Sequence, residues 1–230
     1  MGLLNPVVSK FVLAAGVAQE VYSCPVSKTH AVVDLSFFKD NLASDSLIEI
    51  ALSTKSSPAL LDSVDFFIDD IELIGTVNSA ELNKVIVGSG ERLYLRVLTG
   101  PDIIVRLSGV EEDNGMVLKA GRLAAMTVPG TSQTVVFDNN LPNTAYTSCS
   151  ITIYNSSETA TAEVEAWITT QASPSPEDKV LRISIPTEDT TIIENILLAP
   201  NEKIIFASSV GLAEYFVNGM IIKSQNLSGE

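Results

Sequence analysis

The chain has 230 residues, of which 46% are hydrophobic, and 28 acidic side chains against 14 basic ones give it a net charge of −14. The hydrophobic content excludes general disorder, and the acidic surface disfavours nucleic acid and anionic membranes as partners. The longest apolar run holds eight residues, whereas a membrane-spanning helix needs ~18 to 20.

The chain begins with an apolar N-terminal arm, residues 1–15. It lacks the basic flank and the cleavage pattern of a signal peptide, so we expect the chain to fold in a cytoplasm. Such an arm is too hydrophobic to stay free in solution. We expect it to pack either on a neighbouring subunit or on its own module, as the first strand there. The candidate assembly contacts are its apolar side chains: Leu3, Leu4, Val7, Val8, Phe11, Val12 and Leu13.

Alternating apolar residues, rich in β-branched and aromatic types, predict strands through the rest of the chain. In the first half they cover residues 32–38, 48–54, 66–74, 85–87, 92–97 and 103–107. In the second half they cover residues 148–154, 162–169, 180–185, 192–198, 203–208 and 214–222. Only two short segments, residues 57–62 and 121–126, tolerate a helix. Six or seven strands at ~10-residue spacing per half are typical of an antiparallel sandwich or jelly-roll-like fold.

The second half repeats the first in degenerate form. Residues 16–21 return as 130–135, and the strand at 47–54 returns as 163–170 at an offset of 116. Later matches fall at offsets near 111 and pair Gly90-Glu91-Arg92 with Asn201-Glu202-Lys203, and Gly109 with Gly219. We therefore predict an all-β protein of two tandem antiparallel β-sandwich (jelly-roll-like) modules from an internal duplication. The first module spans residues 16–115 and the second 116–230, with the polar turn at 111–115 between them.

Few residues in the chain could support catalysis. His30 is the single histidine, and Cys24 lies six residues before it with no third residue to orient the pair. A histidine-based zinc site would lack partners, and no phosphate-binding loop motif is present. Cys24 and Cys149 are predicted to be unpaired core or strand residues, because a reducing cytoplasm disfavours disulfides. We predict no catalytic, metal or cofactor site, and a protein that is not an enzyme.

Two acidic clusters and one tryptophan have alternative interpretations. Asp62, Asp65, Asp69 and Asp70 form one cluster, and residues 111–114 form the other. Neither has calcium-loop spacing, so solvated carboxylates are the simpler interpretation. A carboxylate pair for glycoside hydrolysis must face across a cleft, which sequence does not show. Trp167 is either a core anchor or a sugar-stacking platform, and no neighbouring tryptophan or tyrosine completes a platform.

The order of these motifs resembles small β-sandwich modules of tailed-bacteriophage virion proteins. The shared pattern is a Gly-x-x-Gln-x-Val lead, a turn, two alternating strands, a Gly/Asn-Glu-Arg/Lys hairpin and a last strand closing on glycine. Their x-Tyr-x-x-Pro turn is matched well by residues 21–25 and only loosely by residues 136–142. The resemblance covers most of the chain and implies a capsid decoration, collar or tail accessory protein, with no catalytic residues to carry over.

We therefore expect a non-enzymatic virion structural protein, made in the host cytoplasm, that acts through contacts between subunits. Its partners would be other virion proteins (major capsid, neck or tail proteins) and further copies of itself, with no nucleic acid, membrane or cofactor. The alternative is a carbohydrate- or host-receptor-binding module on a tail or head fibre, which predicts a glycan ligand and exposed aromatic side chains. A hydrolase would instead predict a cleft and turnover.

Overall fold

The computed structural model describes residues 5–39, 44–74, 79–128, 130–140, 145–211 and 213–223. The chain forms two compact units. Module one is Met1–Gly115 together with Ala120–Arg122, and module two is Met116–Lys119 together with Leu123–Glu230. The helical elements in the described ranges are three short 3₁₀ turns: Pro58–Leu60, Ser63–Asp65 and Pro176–Asp178. No helix in these ranges is long and apolar enough to cross a membrane.

Module one consists of eight strands in two antiparallel sheets. The strands are β1 Asn5–Leu13, β2 Gln19–Ser23, β3 His30–Lys39, β4 Ser46–Ser53, β5 Phe66–Leu73, β6 Ser79–Gly88, β7 Arg92–Thr99 and β8 Ile103–Glu112. One sheet has the order β1-β8-β3-β6 and the other β2-β7-β4-β5. Successive strands thus often belong to different sheets, which is the arrangement of a jelly roll.

Module two repeats this arrangement strand for strand. Its strands are β9 Val117–Val128, β10 Thr134–Asp138, β11 Ala145–Asn155, β12 Ala162–Thr169, β13 Lys179–Ile185, β14 Thr190–Leu198, β15 Lys203–Ser208 and β16 Ala213–Lys223. The sheets have the orders β14-β11-β16-β9 and β10-β15-β12-β13. Each strand of module one therefore has a counterpart in module two that is numbered eight higher and has the equivalent neighbours in its sheet. This confirms the predicted fold and duplication.

The two modules also share their irregularities. The pairing of β3 with β6 shifts register within residues 33–35, and the pairing of β11 with β14 shifts within residues 149–151, at the offset of 116 seen in the sequence. Lys84 in β6 and Asn195 in β14 both adopt a left-handed backbone, each with φ 60°. A non-glycine residue in this conformation is uncommon, so its recurrence at equivalent bulges supports a common origin.

The repeated glutamate has the same structural role in both modules. The Glu91 carboxylate accepts a hydrogen bond from the Gly88 backbone N–H at 2.9 Å. The Glu202 carboxylate accepts one from the Ala199 backbone N–H at 2.7 Å. Each glutamate thus fixes the turn that leads into β7 or β15, which explains why this short motif is recognisable in both halves of the sequence.

Some strand predictions were incomplete. Residues 85–87 predicted a short strand, but β6 extends back to Ser79, because pairing with β3 maintains the strand through polar, largely exposed positions. The helix-tolerant segment 121–126 lies inside β9. Gly121 has φ +90°, which interrupts helical geometry, and sheet pairing determines the conformation of its neighbours. The sequence also predicted only six strands in each half. The structure adds two described strands to each set: β1 and β2 in module one, and β9 and β10 in module two.

Candidate assembly surface

The described part of the N-terminal arm is a strand of module one. β1 pairs antiparallel with β8 along its whole length, from Asn5 opposite Glu111 to Leu13 opposite Ile103. Of the seven candidate contacts, five lie in this strand: Val7, Val8, Phe11, Val12 and Leu13. Leu3 and Leu4 lie outside the described residues. The described part of the arm therefore packs on its own module, which was one of the two expectations for it.

The strand's alternation divides these residues between two faces. Leu13 is buried, and Val7 and Phe11 are half-buried, so they belong to the inward face. Val8 and Val12 point the other way and are 68% and 58% exposed. Successive side chains of a strand point to opposite faces. The inward residues stabilise the module itself, and only the outward ones are available to another molecule.

Strand register extends the outward face into an apolar row. Val12 lies opposite Ile104 of β8, and Ile104 lies opposite Phe38 of β3. Ile104 is half-buried, and Phe38 and Val12 are among the exposed large hydrophobic residues. Directly opposite residues have Cβ atoms ~5 Å apart, so these three side chains form one contiguous patch, the Val12–Ile104–Phe38 row. Sequence reasoning missed Ile104 and Phe38, although the adjacent pair Phe37-Phe38 in a strand signals one outward aromatic ring.

The backbone edge of β1 is a second candidate contact. β1 is the terminal strand of its sheet and pairs with β8 as its only neighbour among the described strands. Pro6 and Lys10 are both exposed on it. A proline without an N–H and an exposed lysine both discourage edge-to-edge pairing. The apolar row on the face is therefore the better candidate for a specific contact.

The Cys24 and His30 positions do not form a reactive pair. Both cysteines are free and buried, as the sequence predicted. Burial raises the pKa of the Cys24 thiol to about 11 and that of Cys149 to about 12, so neither supplies a thiolate at neutral pH. His30 begins β3 and is buried. Among the described residues, no three His, Cys, Asp or Glu side chains lie close enough to hold a metal ion.

His30 makes module one sensitive to mild acid. Burial lowers the pKa of its imidazole, and Glu112, whose carboxylate lies 3.8 Å from Nε2, only partly opposes this. The unfolded chain, with a histidine pKa near 6.5, therefore binds the proton more readily. We expect the free energy of unfolding to be fully maintained above pH 6.5 and to fall below it, by up to about 1.4 kcal/mol per pH unit.

Urea unfolding of the wild type and His30→Gln between pH 7.5 and 5.5 measures this slope. Since His30 is the single histidine, its replacement should remove this fall in the free energy of unfolding. An equal slope in both proteins would contradict the expectation.

The interpretation of the first acidic cluster as solvated carboxylates was wrong for Asp65. This residue is 1% exposed, whereas the side chain of Asp62 is 60% exposed. The Asp65 carboxylate accepts hydrogen bonds from Lys55 Nζ and Arg122 NH1, both at 2.6 Å. These cations already neutralise the site, so it is a structural ion pair within module one. Asp69 and Asp70 have side chains outside the described residues.

The second acidic cluster and Trp167 also have structural roles. Glu111 accepts a hydrogen bond from the Tyr22 hydroxyl at 3.0 Å. Trp167 is buried, and the Lys179 ammonium lies 5.3 Å from the centroid of its ring. The prediction that Trp167 is an anchor rather than an exposed sugar platform is confirmed.

Comparison with known proteins gave similarities of fold. No protein-family model matches the sequence, and no curated protein matches it. The STIV MCP, where STIV is Sulfolobus Turreted Icosahedral Virus, aligns over 100% of both chains at 11% identity, with a TM-score of 0.44. The major capsid protein P2 from Bacteriophage PM2 aligns over 96% of this chain and 99% of its own at 13% identity, with a TM-score of 0.42. Recombinant N-glycanase F (PNGase F) aligns over 98% and 96% at 10% identity, with a TM-score of 0.45.

These similarities assign neither a family nor a function. They include capsid proteins and an enzyme, at identities of 10–13% and TM-scores of 0.42–0.45, and one fold can host many functions. Neither viral protein is named as a tailed-phage decoration or collar protein. The role of this chain must therefore be inferred from its own architecture and surface.

Proposed function

We propose that this protein is a non-enzymatic structural component of a virion and acts through contacts between subunits. The observation that carries the proposal is the presence of two complete jelly rolls with one strand order in a single chain. Jelly rolls are a recurrent architecture of viral capsid domains and of lectins. A duplicated module gives each chain two copies of a shell-building unit.

The surface favours assembly over the alternatives. Trp167, which the sequence offered as a sugar-stacking platform, is buried, so it gives no support to a lectin-like role. A hydrolase needs an activated nucleophile or paired carboxylates, whereas the Cys24 thiol is protonated and Asp65 is held by Lys55 and Arg122. The Val12–Ile104–Phe38 row, by contrast, is an apolar patch that excludes water when another subunit covers it.

Within the virion we propose the capsid shell as the position of this protein, since jelly rolls recur in viral capsid domains. A capsid decoration (cement) or neck-collar accessory, as implied by the resemblance to tailed-phage modules, is the finer alternative. Its partners are further copies of itself and other virion proteins. The copy number per particle, measured by quantitative mass spectrometry of purified virions, distinguishes these positions because a shell protein is the most abundant and a collar protein is present in few copies.

Introducing a negative charge into the Val12–Ile104–Phe38 row tests the assembly contact. We expect Val12→Glu and Phe38→Glu to fold normally but to self-associate at least tenfold more weakly. Covering the exposed part of Val12 contributes about 1 kcal/mol, and a charge in its place adds a desolvation cost. Sedimentation equilibrium across protein concentrations, with incorporation into particles as a second measurement, reports the change.

The matched control is Val26→Glu. Val26 is 85% exposed in the turn before β3 begins, whereas Phe38 lies near the end of that strand. This control should assemble like the wild type. Equal assembly of all four proteins would exclude the row as a contact, and a wild type that never associates would contradict self-assembly. Deleting residues 2–13 is a poor test, because it removes β1 from the sheet and exposes the core that Leu13 covers.

A further inference from the structure

Module two contains an apolar cavity between its two sheets. Its volume is about 290 Å³, and ten of its eleven lining residues are apolar. Ala166 and Ile168 of β12, Ile193 of β14 and Phe206 of β15 form part of its wall. Asn195, the left-handed residue at the β14 bulge, supplies the one polar side chain.

Comparison of the two modules shows why this space is open. Ala166 is paired with Phe206, and the equivalent residue in module one is Ile50, paired with Leu95. Ile50 is completely buried. A large aliphatic side chain of one module is thus reduced to a methyl group in the other, and the cavity persists although Phe206 is larger than Leu95.

A second reduction lies on the neighbouring strand. Phe67 is the extra residue at the shift between Ile50 and Ala51 in the pairing of β4 with β5. Val180 occupies the same position in the pairing of β12 with β13. Phe67 is 7% exposed, whereas Val180 is 58% exposed and lines the cavity. Two core positions that are filled in module one are therefore small or turned outward in module two.

The size and lining of the cavity define what it can hold. The cavity is open to solvent at Val180 and Leu197, which are 58% and 66% exposed. It is larger than the enclosed apolar cavity of ~150 Å³ that binds benzene. An apolar occupant would remove the exposed apolar lining from water. Because it would bind the folded module and not the unfolded chain, it would stabilise module two. Asn195 can exchange hydrogen bonds with one polar end group. That group is not an anion, since Glu194 is exposed next to Asn195 and the chain carries a net charge of −14. The residues that line the cavity include no carboxylate to pair with a cation, so an uncharged end group fits best.

We propose that this cavity is a binding site for a small uncharged amphiphile, such as a medium-chain alcohol. The hydrocarbon chain lies between the sheets against Ala166, Ile168 and Phe206, and the polar end lies at Asn195. The site belongs to module two and is independent of the assembly row in module one.

Titration with 1-octanol, followed by methyl NMR of Ile168 and Ile193, tests the site. In the wild type these methyl signals should shift saturably. Ala166→Ile, which restores the residue of module one, should weaken binding at least tenfold and raise the Tm of the ligand-free protein. Val180→Phe, which copies Phe67, tests the same space from the other strand if Ala166→Ile does not fold.

The matched control is Ala59→Ile, which adds the same side chain at an exposed position of module one and should leave octanol binding unchanged. Octanoate should bind more weakly than 1-octanol because its end group is charged. The absence of a saturable shift, or equal binding by the wild type and the two cavity variants, would overturn the proposal. So would methyl shifts produced by phosphatidylcholine vesicles but not by 1-octanol, which would identify a lipid acyl chain as the occupant.

Discussion

Replacing Gly109 or Gly219 by alanine should destabilise the protein by about 3 kcal/mol, because neither position has room for a Cβ atom. A Cβ on Gly109 would lie 2.3 Å from the backbone oxygen of Val32, and one on Gly219 would lie 2.3 Å from that of Ser148. Both clashes involve backbone atoms of the neighbouring strand, so relief requires the two strands to separate. Urea unfolding, with the free energy extrapolated to water, measures the loss.

Gly115→Ala and Gly211→Ala are the matched controls. No atom lies within 4 Å of a Cβ built at either position. Alanine there should be neutral or stabilise by up to about 1 kcal/mol, because it restricts the unfolded chain. If Gly109→Ala and Gly219→Ala were as stable as these controls, the close approach of the strands would be excluded as the reason for the repeated glycine.

Replacing Asp65 by asparagine should cost about 3 to 5 kcal/mol, because it removes the counter-charge of a buried ion pair while leaving its cations in place. Burial alone would raise the pKa of Asp65, but hydrogen bonds from Lys55, the Asp62 backbone, Ser53 and Arg122 outweigh it and hold the pKa well below its usual range. The control is Asp62→Asn, which also removes a partner of Lys55 but at an exposed site. It should change stability by less than about 1 kcal/mol.

The pH dependence of Asp65→Asn gives an independent check. Because the folded-state pKa is depressed, the contribution of Asp65 is present above the unfolded pKa of about 3.9 and is lost as the pH falls below it. The difference in unfolding free energy between the wild type and Asp65→Asn should therefore be constant from pH 7 to 5 and should shrink from pH 4 to 3. A difference that does not depend on pH in this range would show that the charge is not what stabilises the site.

The fold was largely predictable from the sequence, because strand alternation and turn residues are local signals. The duplication could also be predicted, since Glu91 and Glu202 fix equivalent turns and Gly109 and Gly219 accept equivalent close contacts. Strand order could not be predicted, because the pairing of β1 with β8 joins opposite ends of a module.

The candidate sites depended on contacts between distant residues. Asp65 was misinterpreted because Arg122, one of its cations, lies 57 residues away. The Val12–Ile104–Phe38 row requires the register of three strands, which alternation alone does not fix. The reduction from Ile50 to Ala166 was visible at the offset of 116, but its meaning required the two strand pairings that place them at equivalent positions.

The pairing of the first strand of each jelly roll with the last has a consequence for synthesis on the ribosome. β1 emerges first, but its hydrogen-bonding partner β8 is completed only at Glu112. Until then its apolar residues have no sheet to join, and long-range strand pairing is slow. β1 therefore remains without its partner strand through the synthesis of almost the whole of module one. Module one can then complete its sheets while most of module two is still being translated. The two modules therefore fold one after the other, and this order limits the exchange of strands between their similar sequences.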